Sequence, residues 1–364
     1  MEVDSFAMNG GDGPTGYFVN SRFQRIQCDE AKALLQCSIQ KHLVLPLDSK
    51  MSISKPVFRI ADLGCSVGPN TFASVDSIID AVTSEYKAKC LDSKIPEFQV
   101  FFNDQARNDF NTLFRNLPAE RAYTAAGIPG SFHGRLFPMA SVDIFHSASA
   151  LHWLSGVPDE VKDPLSLAWN RGKVTYVESA PEVAEAYKAQ FQKDIMEFFN
   201  ARAMEIADNG LLAILMLCHP EGTAVSCSVA MDMFECLGHT LVDMVNEGLI
   251  EEALVDSFNM PLFFPTASEM TEVISEIQGI RTEVVEEIQC LREKSMLGDT
   301  STMSLQLRAI TEEILNKHFG PGIIDAIFQR MPQKFEEYLR SPSFAAEKLQ
   351  NLFLLVKKVT VSSG

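Results

Sequence analysis

Two kinds of apolar pattern alternate along the first 220 positions. Unbroken runs predict buried strands: FRIADLG at 58–64, FQVFFND at 98–104 and LLAILMLC at 211–218. VDIFHSASALHWL at 142–154 predicts a third strand in chain order, leading into a loop rich in small residues. Between these runs apolar residues recur at helical spacing. Phe72, Val75, Ile78, Ile79 and Val82 do so within 71–90, and Tyr187, Phe191, Ile195, Phe198, Ala203 and Ile206 within 184–207. Asn209–Gly210 is expected to stop the second helix. LQNLFLLVKKV at 349–359 reads as one more strand. Strands separated by helices predict an α/β fold with a doubly wound, mainly parallel sheet.

From about 221 to 340 the pattern turns helical and rich in acids. We expect a helical cap there, over the carboxyl ends of the strands, where α/β folds bind their ligands. The division this gives is an α/β domain from 1–220 and 341–364, with a cap from 221–340. REKSMLGDTST at 292–302 is polar and reads as a loop within the cap. We find no internal repeat.

Composition narrows the classes. The chain of 364 residues is 46% hydrophobic and 22% charged, which is ordinary for a globular protein. A net charge of −17 argues against a nucleic-acid surface and against anionic lipid, both of which need clustered Lys and Arg. MEVDSFAMNGG at the start has neither the basic nor the apolar stretch of a signal peptide. The longest clean apolar run, 211–218, is far short of a membrane span. Eight cysteines lie scattered without metal-ligand spacing, so reduced thiols and a cytoplasmic location are the expectation.

The first strand carries the chemistry. FRIADLGCSVGPN runs into a turn bracketed by Gly64 and Gly68, and Pro69–Asn70 can open a helix. That is how Rossmann-like folds bring a ligand against bare backbone. A dinucleotide site would want G-x-G-x-x-G and an acid about twenty residues on. Here Gly64 and Gly68 are three residues apart in between, and the next strand-end acid is Asp104. An acid before the glycines (Asp62) and one ending the second strand match the order of S-adenosylmethionine sites better. A nicotinamide-dependent dehydrogenase and a non-catalytic small-molecule receptor stay open as alternatives.

ADLGCSVGPNTF, FFNDQARNDFNTLF, GIPGSFHGRLFP, SALHWLSGVP and VDSFNMPLFFP resemble, in order and spacing, the plant SABATH methyltransferases. The resemblance begins at MNGGDGPTGYFVNSRFQR and runs to the last strand. It implies transfer of a methyl group from S-adenosyl-L-methionine to the carboxylate of a small specialised-metabolism acid, or to a ring nitrogen of a purine alkaloid. It also implies a homodimer. By resemblance, Tyr17 and Ser21 close over the donor, Gly64 forms the turn, and Cys65 and Asn70 meet the methionine part. Asp104 takes the ribose, while Gln105, Ser131 and Phe132 surround the adenine. Cys65 and Phe132 are equally well read as core residues.

On the acceptor side the resemblance makes Gln24 and Trp153 a clamp for the carboxylate, each an N–H donor. His152 stands beside them, and Met233, Phe234 and Phe263 line the apolar wall. Ser149 stands where the family usually has Tyr or Phe, which opens that wall. Asn9 stands where several carboxyl-methylating members have Lys, which leaves room for a nitrogen heterocycle. Asn170, Asp256, Phe258 and Asn259 match positions of a magnesium site in the family; a polar cluster fixing the cap accounts for them as well. No catalytic base is called for, since a carboxylate is already ionised near pH 7.

Overall fold

The chain runs through helix α1 (Arg22–His42), strand β1 (Val57–Leu63), α2 (Pro69–Ala88), β2 (Glu97–Asp104), α3 (Phe110–Arg115), β3 (Tyr123–Pro129) and β4 (Val142–Ala148). It continues through α4 (Pro181–Glu205), β5 (Ile206–Leu217), α5 (Val229–Asn246), α6 (Glu252–Asp256), α7 (Ala267–Glu276) and β6 (Ile280–Cys290). It closes with α8 (Thr300–Phe319), α9 (Ile324–Leu339) and β7 (Leu349–Lys358). This is a computed structural model, and it describes residues 7–45, 57–89, 91, 94–177, 179–222, 229–290, 298–341 and 349–359.

The seven strands form one sheet in the order β3-β2-β1-β4-β5-β7-β6. The first five are parallel, and β7 and β6 add antiparallel strands at one edge. Strand order reverses between β1 and β4, which leaves a crevice at their carboxyl ends. Alternate strand residues feed the two faces. Ile60 and Ile144 join α1 and α2 through Ile39, Phe72, Val75 and Val82. Ala61 and Phe145 join α4 through Tyr187, Phe191, Phe198 and Phe199 on the other face. Each of those fully buried phenylalanines contributes roughly 1.5–3 kcal/mol of apolar transfer.

A third cluster lies among helices of the interval expected to be cap. Leu237, Leu241, Met244, Met303, Leu307, Leu315, Ile327, Met331 and Phe335 pack α5, α8 and α9 together. Local chemistry fixes where these helices start and stop. The Asp299 side chain accepts the Thr302 N–H at the start of α8, and Gly320, at φ 81°, follows its end. Thr266 and Glu269 form a reciprocal capping box on α7.

The expected fold class is observed, with four differences. Strand β6 lies inside the interval expected to be helical cap, and pairs with β7 along its length. Its sequence, IRTEVVEEIQC, mixes charge with β-branched residues because it is an edge strand. Strand β3, YTAAGIP, has small residues and mostly half-buried positions, so it carries no apolar run. Helix α4 ends at Glu205 without help from Asn209–Gly210. Asn209 takes φ 61° inside β5, where pairing with β4 slips between Val142 and Ile144, so the pair marks a bulge. Of the polar stretch at 292–302, residues 292–297 lie outside the described residues, Asp299 caps α8, and 300–302 open that helix.

Candidate active site

The turn after β1 is built from backbone. Gly64 sits at φ 77°, and a Cβ added there would come within 2.4 Å of the Ala150 Cβ. No side chain fits, so the chain passes close under the crevice. The N–H groups of Gly64 and Cys65 both donate to the Asn103 carbonyl, at 2.9 and 3.0 Å. Ser66, also left-handed at φ 52°, donates its N–H to Asp104 Oδ2 at 2.7 Å. Asn103, fully buried, donates to the carbonyls of Ile128 and Gly130, tying the ends of β2 and β3 together.

Asp104 thereby points along the crevice. Its second oxygen accepts the Gln105 N–H at 2.7 Å. Each oxygen keeps a lone pair for another donor. Burial pushes its pKa up to about 6; the two backbone hydrogen bonds pull the other way, and the nearby Asp62 charge adds to the rise. The loop carrying Ser131 and Phe132 faces it, held from behind by Arg202. That guanidinium, 1% exposed, donates to the Phe132 and Gly134 carbonyls at 2.8 Å each. It also pairs with Glu205 at 2.7 Å, whose other oxygen accepts the Leu136 and Phe137 N–H groups.

A cavity of about 1250 Å³, counting the space open to solvent, extends from this edge to the cap. Tyr17, Gly64, Asp104, Gln105, Ser131 and Phe132 line the sheet side. Gln24, Ser149, His152, Trp153, Met233 and Phe234 line the far side, with Leu307 and Ile310 of α8 closing it. A smaller adjoining cavity of about 360 Å³ is lined by Cys65 and Asn70, and shares Tyr17, Gln24, Gly64 and Ser149 with the first. Ser21 lines neither; its carbonyl accepts the Asn70 side-chain N–H at 3.0 Å, which positions Asn70. Gln24 Oε1, Ser66 Oγ and Asn70 Oδ1 are buried and have no hydrogen-bond partner within the protein. Buried polar atoms of that kind want a ligand's donors.

His152 and Trp153 lie in a turn held by the 261–263 segment. The Leu154 N–H donates to the Pro261 carbonyl at 2.8 Å, and the Phe263 N–H to the His152 carbonyl at 3.0 Å. His152 Nδ1 is buried without a partner, and its ring meets Phe264 edge-on at 5.5 Å. Burial alone pushes its pKa down to about 3, so the ring is neutral.

Two expected roles are corrected by placement. Phe263 is buried and stacks between Tyr176 and Phe191, at 5.2 and 4.8 Å, and is not among the lining residues. Its ring packs in the core while its backbone holds His152. Asn9 faces away from the main cavity: its amide donates to Glu312 at 2.8 Å and to the Thr15 carbonyl at 3.0 Å. It lines a separate recess with Arg107, Asp109 and Glu313.

The four residues matched to a magnesium site do not fit a cation. Asn170 Oδ1 accepts from Ser179, and its amide donates to Asn259 Oδ1 at 2.8 Å. Asp256 faces Arg171 at 3.6 Å, and Phe258 packs its ring on His318 and Phe319. The oxygens a hard cation needs are turned to N–H and O–H groups. Among the described residues no group of three His, Cys, Asp or Glu side chains can hold a metal. The cluster instead fixes the 258–264 segment, helped by Tyr187 Oη, which donates to the Met260 carbonyl at 3.0 Å.

Sequence reasoning missed Phe23, Gln27, His133, Ser155 and Arg202. Of these all but Arg202 line the cavity. Phe23, His133 and Ser155 lie within the quoted motifs but were given no role there, while Gln27 and Arg202 sit in helices with no motif and are brought in by tertiary packing.

A glycine turn under the switch point, an acid ending β2 and a roofed apolar cavity suit an α/β methyltransferase that uses S-adenosylmethionine. Comparison agrees. The family of SAM dependent carboxyl methyltransferases matches residues 3–358, and the chain belongs to it. It is 39% identical to loganic acid O-methyltransferase of Catharanthus roseus, over 98% of this chain and 95% of the relative. A farnesoic acid carboxyl-O-methyltransferase of Arabidopsis thaliana is 35% identical over 96% and 98%. A 3,7-dimethylxanthine N-methyltransferase of Camellia sinensis var. assamica is 34% identical over 89% of each. Among solved structures, loganic acid methyltransferase with SAH superimposes with a TM-score of 0.91, covering 98% of this chain and all of that one. The SABATH expectation is borne out, and a dehydrogenase or a non-catalytic receptor is set aside.

Proposed function

We propose that the cavity binds S-adenosyl-L-methionine along Gly64, Asn70, Asp104, Ser131 and Phe132. The acceptor, a mid-sized carboxylic acid, lies against Gln24 and Trp153, and the product is its methyl ester. The residues present fit the donor. Asp104 offers two oxygens for ribose hydroxyls, the unpartnered Asn70 and Gln24 oxygens face the methionine end, and Gly64 leaves backbone clearance. When bound, S-adenosylmethionine supplies a methyl carbon activated by its sulfonium charge.

The chain's own part is to bind and align. An acceptor carboxylate, with a free pKa of about 4, attacks as the anion. Gln24 and Trp153 hold one oxygen by N–H donation and leave the other roughly 3 Å from the methyl carbon, in line with the bond to sulfur. The new O–C bond forms as that bond breaks, and the electron pair leaves with sulfur. Tyr17, Met233, Phe234 and Leu307 exclude water, so the carboxylate reacts unhydrated.

The observation that carries the carboxylate over a ring N–H is the lack of a base. Asp104 is the one carboxylate lining the cavity among the described residues, and it is committed to the donor's end. His152, its pKa held near 3, is too weak a base for a heterocyclic N–H. The test is a labelled-methyl assay over a panel of acids and purine alkaloids, followed by mild alkali. Labelled methanol is expected from the product of the best acceptor; label that survives alkali would replace ester formation with N-methylation.

A homodimer belongs to this reading on the family resemblance, and a cytoplasmic location on the expected reduced thiols. Cys28, Cys37, Cys65 and Cys236 are in no disulfide, and among the described residues no helix is long and apolar enough to cross a membrane.

A further inference from the structure

Ser149 and Gln27 form a polar wall in a mainly apolar part of the cavity. Ser149 follows β4 at φ 54°, and its N–H donates to the Leu215 carbonyl at 2.8 Å. Its hydroxyl donates to Gln27 Oε1 at 3.0 Å. Gln27 comes from α1, is 1% exposed, and donates its own amide N–H to Asn351 Oδ1 on β7 at 2.5 Å. Three residues from distant parts of the chain thus make a buried hydrogen-bonded line ending at the cavity. An apolar side chain at 27 would pack there without needing partners, so the line requires a reason.

Its direction supplies one. With Asn351 fixing the amide, Gln27 turns an oxygen toward Ser149, and the single Ser149 proton is committed to it. Ser149 therefore presents lone pairs alone to the cavity. Gln24 and Trp153, which line the same side of the cavity, have N–H groups to offer. A carboxylate is repelled by the Ser149 lone pairs and held by those N–H groups.

We propose that Ser149 is a specificity-determining residue that accepts a hydrogen bond from a hydroxyl group on the acceptor, and that Gln27 is the positioning residue that keeps it an acceptor. The acceptor class is then a hydroxylated carboxylic acid, with its hydroxyl at Ser149 and its carboxylate at Gln24 and Trp153. This rests on the reading of the chain as a carboxyl methyltransferase. Ser149 also lines the adjoining cavity, so the other source of a donor is the α-ammonium of the bound S-adenosylmethionine.

The test compares kcat/KM for cyclohexanecarboxylate with its 2-, 3- and 4-hydroxy derivatives, alongside calorimetric affinity for S-adenosylhomocysteine. The wild type is expected to prefer at least one hydroxy acid by roughly tenfold, the discrimination of one neutral hydrogen bond. Ser149→Gly, whose backbone suits the left-handed conformation, is expected to fold and to bring that ratio near one. Gln27→Leu frees the Ser149 proton to donate as well and is expected to lower the ratio without abolishing it, while thermal melts show that both variants are folded. Affinity for S-adenosylhomocysteine should change by less than about twofold in Ser149→Gly. The proposal is overturned if no hydroxy acid is preferred, if Ser149→Gly keeps the preference, or if that variant instead weakens S-adenosylhomocysteine tenfold. Methylation of acids with an unchanged ratio removes this inference alone. A protein that binds S-adenosylhomocysteine but methylates no acid removes the reading of function, and this inference with it.

Discussion

Donor binding should weaken in acid because of one carboxylate. Asp104 is buried, and desolvation pushes its pKa from 3.8 to about 6 in the folded protein. Ribose hydroxyls are donors, so the ionised form, with acceptor oxygens only, is the one that binds both. The competent fraction is then roughly nine-tenths at pH 7 and one-tenth at pH 5, and the apparent affinity for S-adenosylhomocysteine falls by about tenfold between them. Folding stability moves the opposite way. With its folded pKa above its unfolded value, Asp104 binds more protons in the native state. It therefore contributes stability below pH 3.8 that is lost as pH rises through 6, about 3 kcal/mol in all. Asp104→Asn removes the titration and turns an amide N–H toward a backbone N–H, of Ser66 or Gln105. Its affinity should be lower by roughly 1.5–3 kcal/mol, and flat between pH 5 and 7. Isothermal calorimetry at half-unit steps measures both proteins. A pH-independent wild type, or an Asn variant with the same slope as the wild type, would refute the assignment of Asp104 to the ribose.

Two further substitutions probe the two ends of the cavity. Ser149→Tyr restores the ring usual in the family and breaks the contact with Gln27, so kcat/KM should fall tenfold or more for bulky acids while benzoate-sized ones hold or gain; an unchanged ranking in a competition assay would remove Ser149 from the acceptor wall. Arg202→Leu strands the buried Glu205 charge and releases the Phe132 and Gly134 carbonyls, which should lower stability by about 3–5 kcal/mol and weaken S-adenosylhomocysteine binding. Urea midpoints and calorimetry read the two effects, and an unmoved midpoint would mean that Arg202 is not holding the loop.

The strand segments most legible in the sequence are those buried on both faces. Ile60, Ala61, Ile144, Phe145, Leu212 and Ile214 have no solvent side, so they appear as continuous apolar runs. Strand β6 was not legible because it has one neighbour and a solvent side, and Arg281, Glu283 and Glu287 interrupt the run. Asn209–Gly210 misled for a related reason. A left-handed Asn followed by Gly is a helix stop in isolation, yet here the strand β4 beside it makes the same dipeptide a bulge. Local sequence states what the backbone can do, and the neighbouring strand decides which option is taken.

The candidate site divides along the same line. Its donor half is made from backbone geometry at strand ends, which demands particular residues at fixed spacing: Gly64 because a Cβ would strike Ala150, and Asp104 because it must reach from β2 to the turn after β1. Such demands leave motifs. Its acceptor half is made from side chains that meet only after α1, the 149–155 loop, α5 and α8 have packed. Gln27 and Gln306 are ordinary polar residues of long helices until tertiary structure sets both on the cavity. The family pattern marked Gln24 three positions earlier but gave no reason to look at Gln27, whose role depends on Asn351 more than three hundred residues away. Substitution at such a position alters which acceptor fits without touching the turn that holds the donor. A loganic acid O-methyltransferase and a 3,7-dimethylxanthine N-methyltransferase are both similar to this chain over nearly their whole length, so one chain plan carries different acceptors.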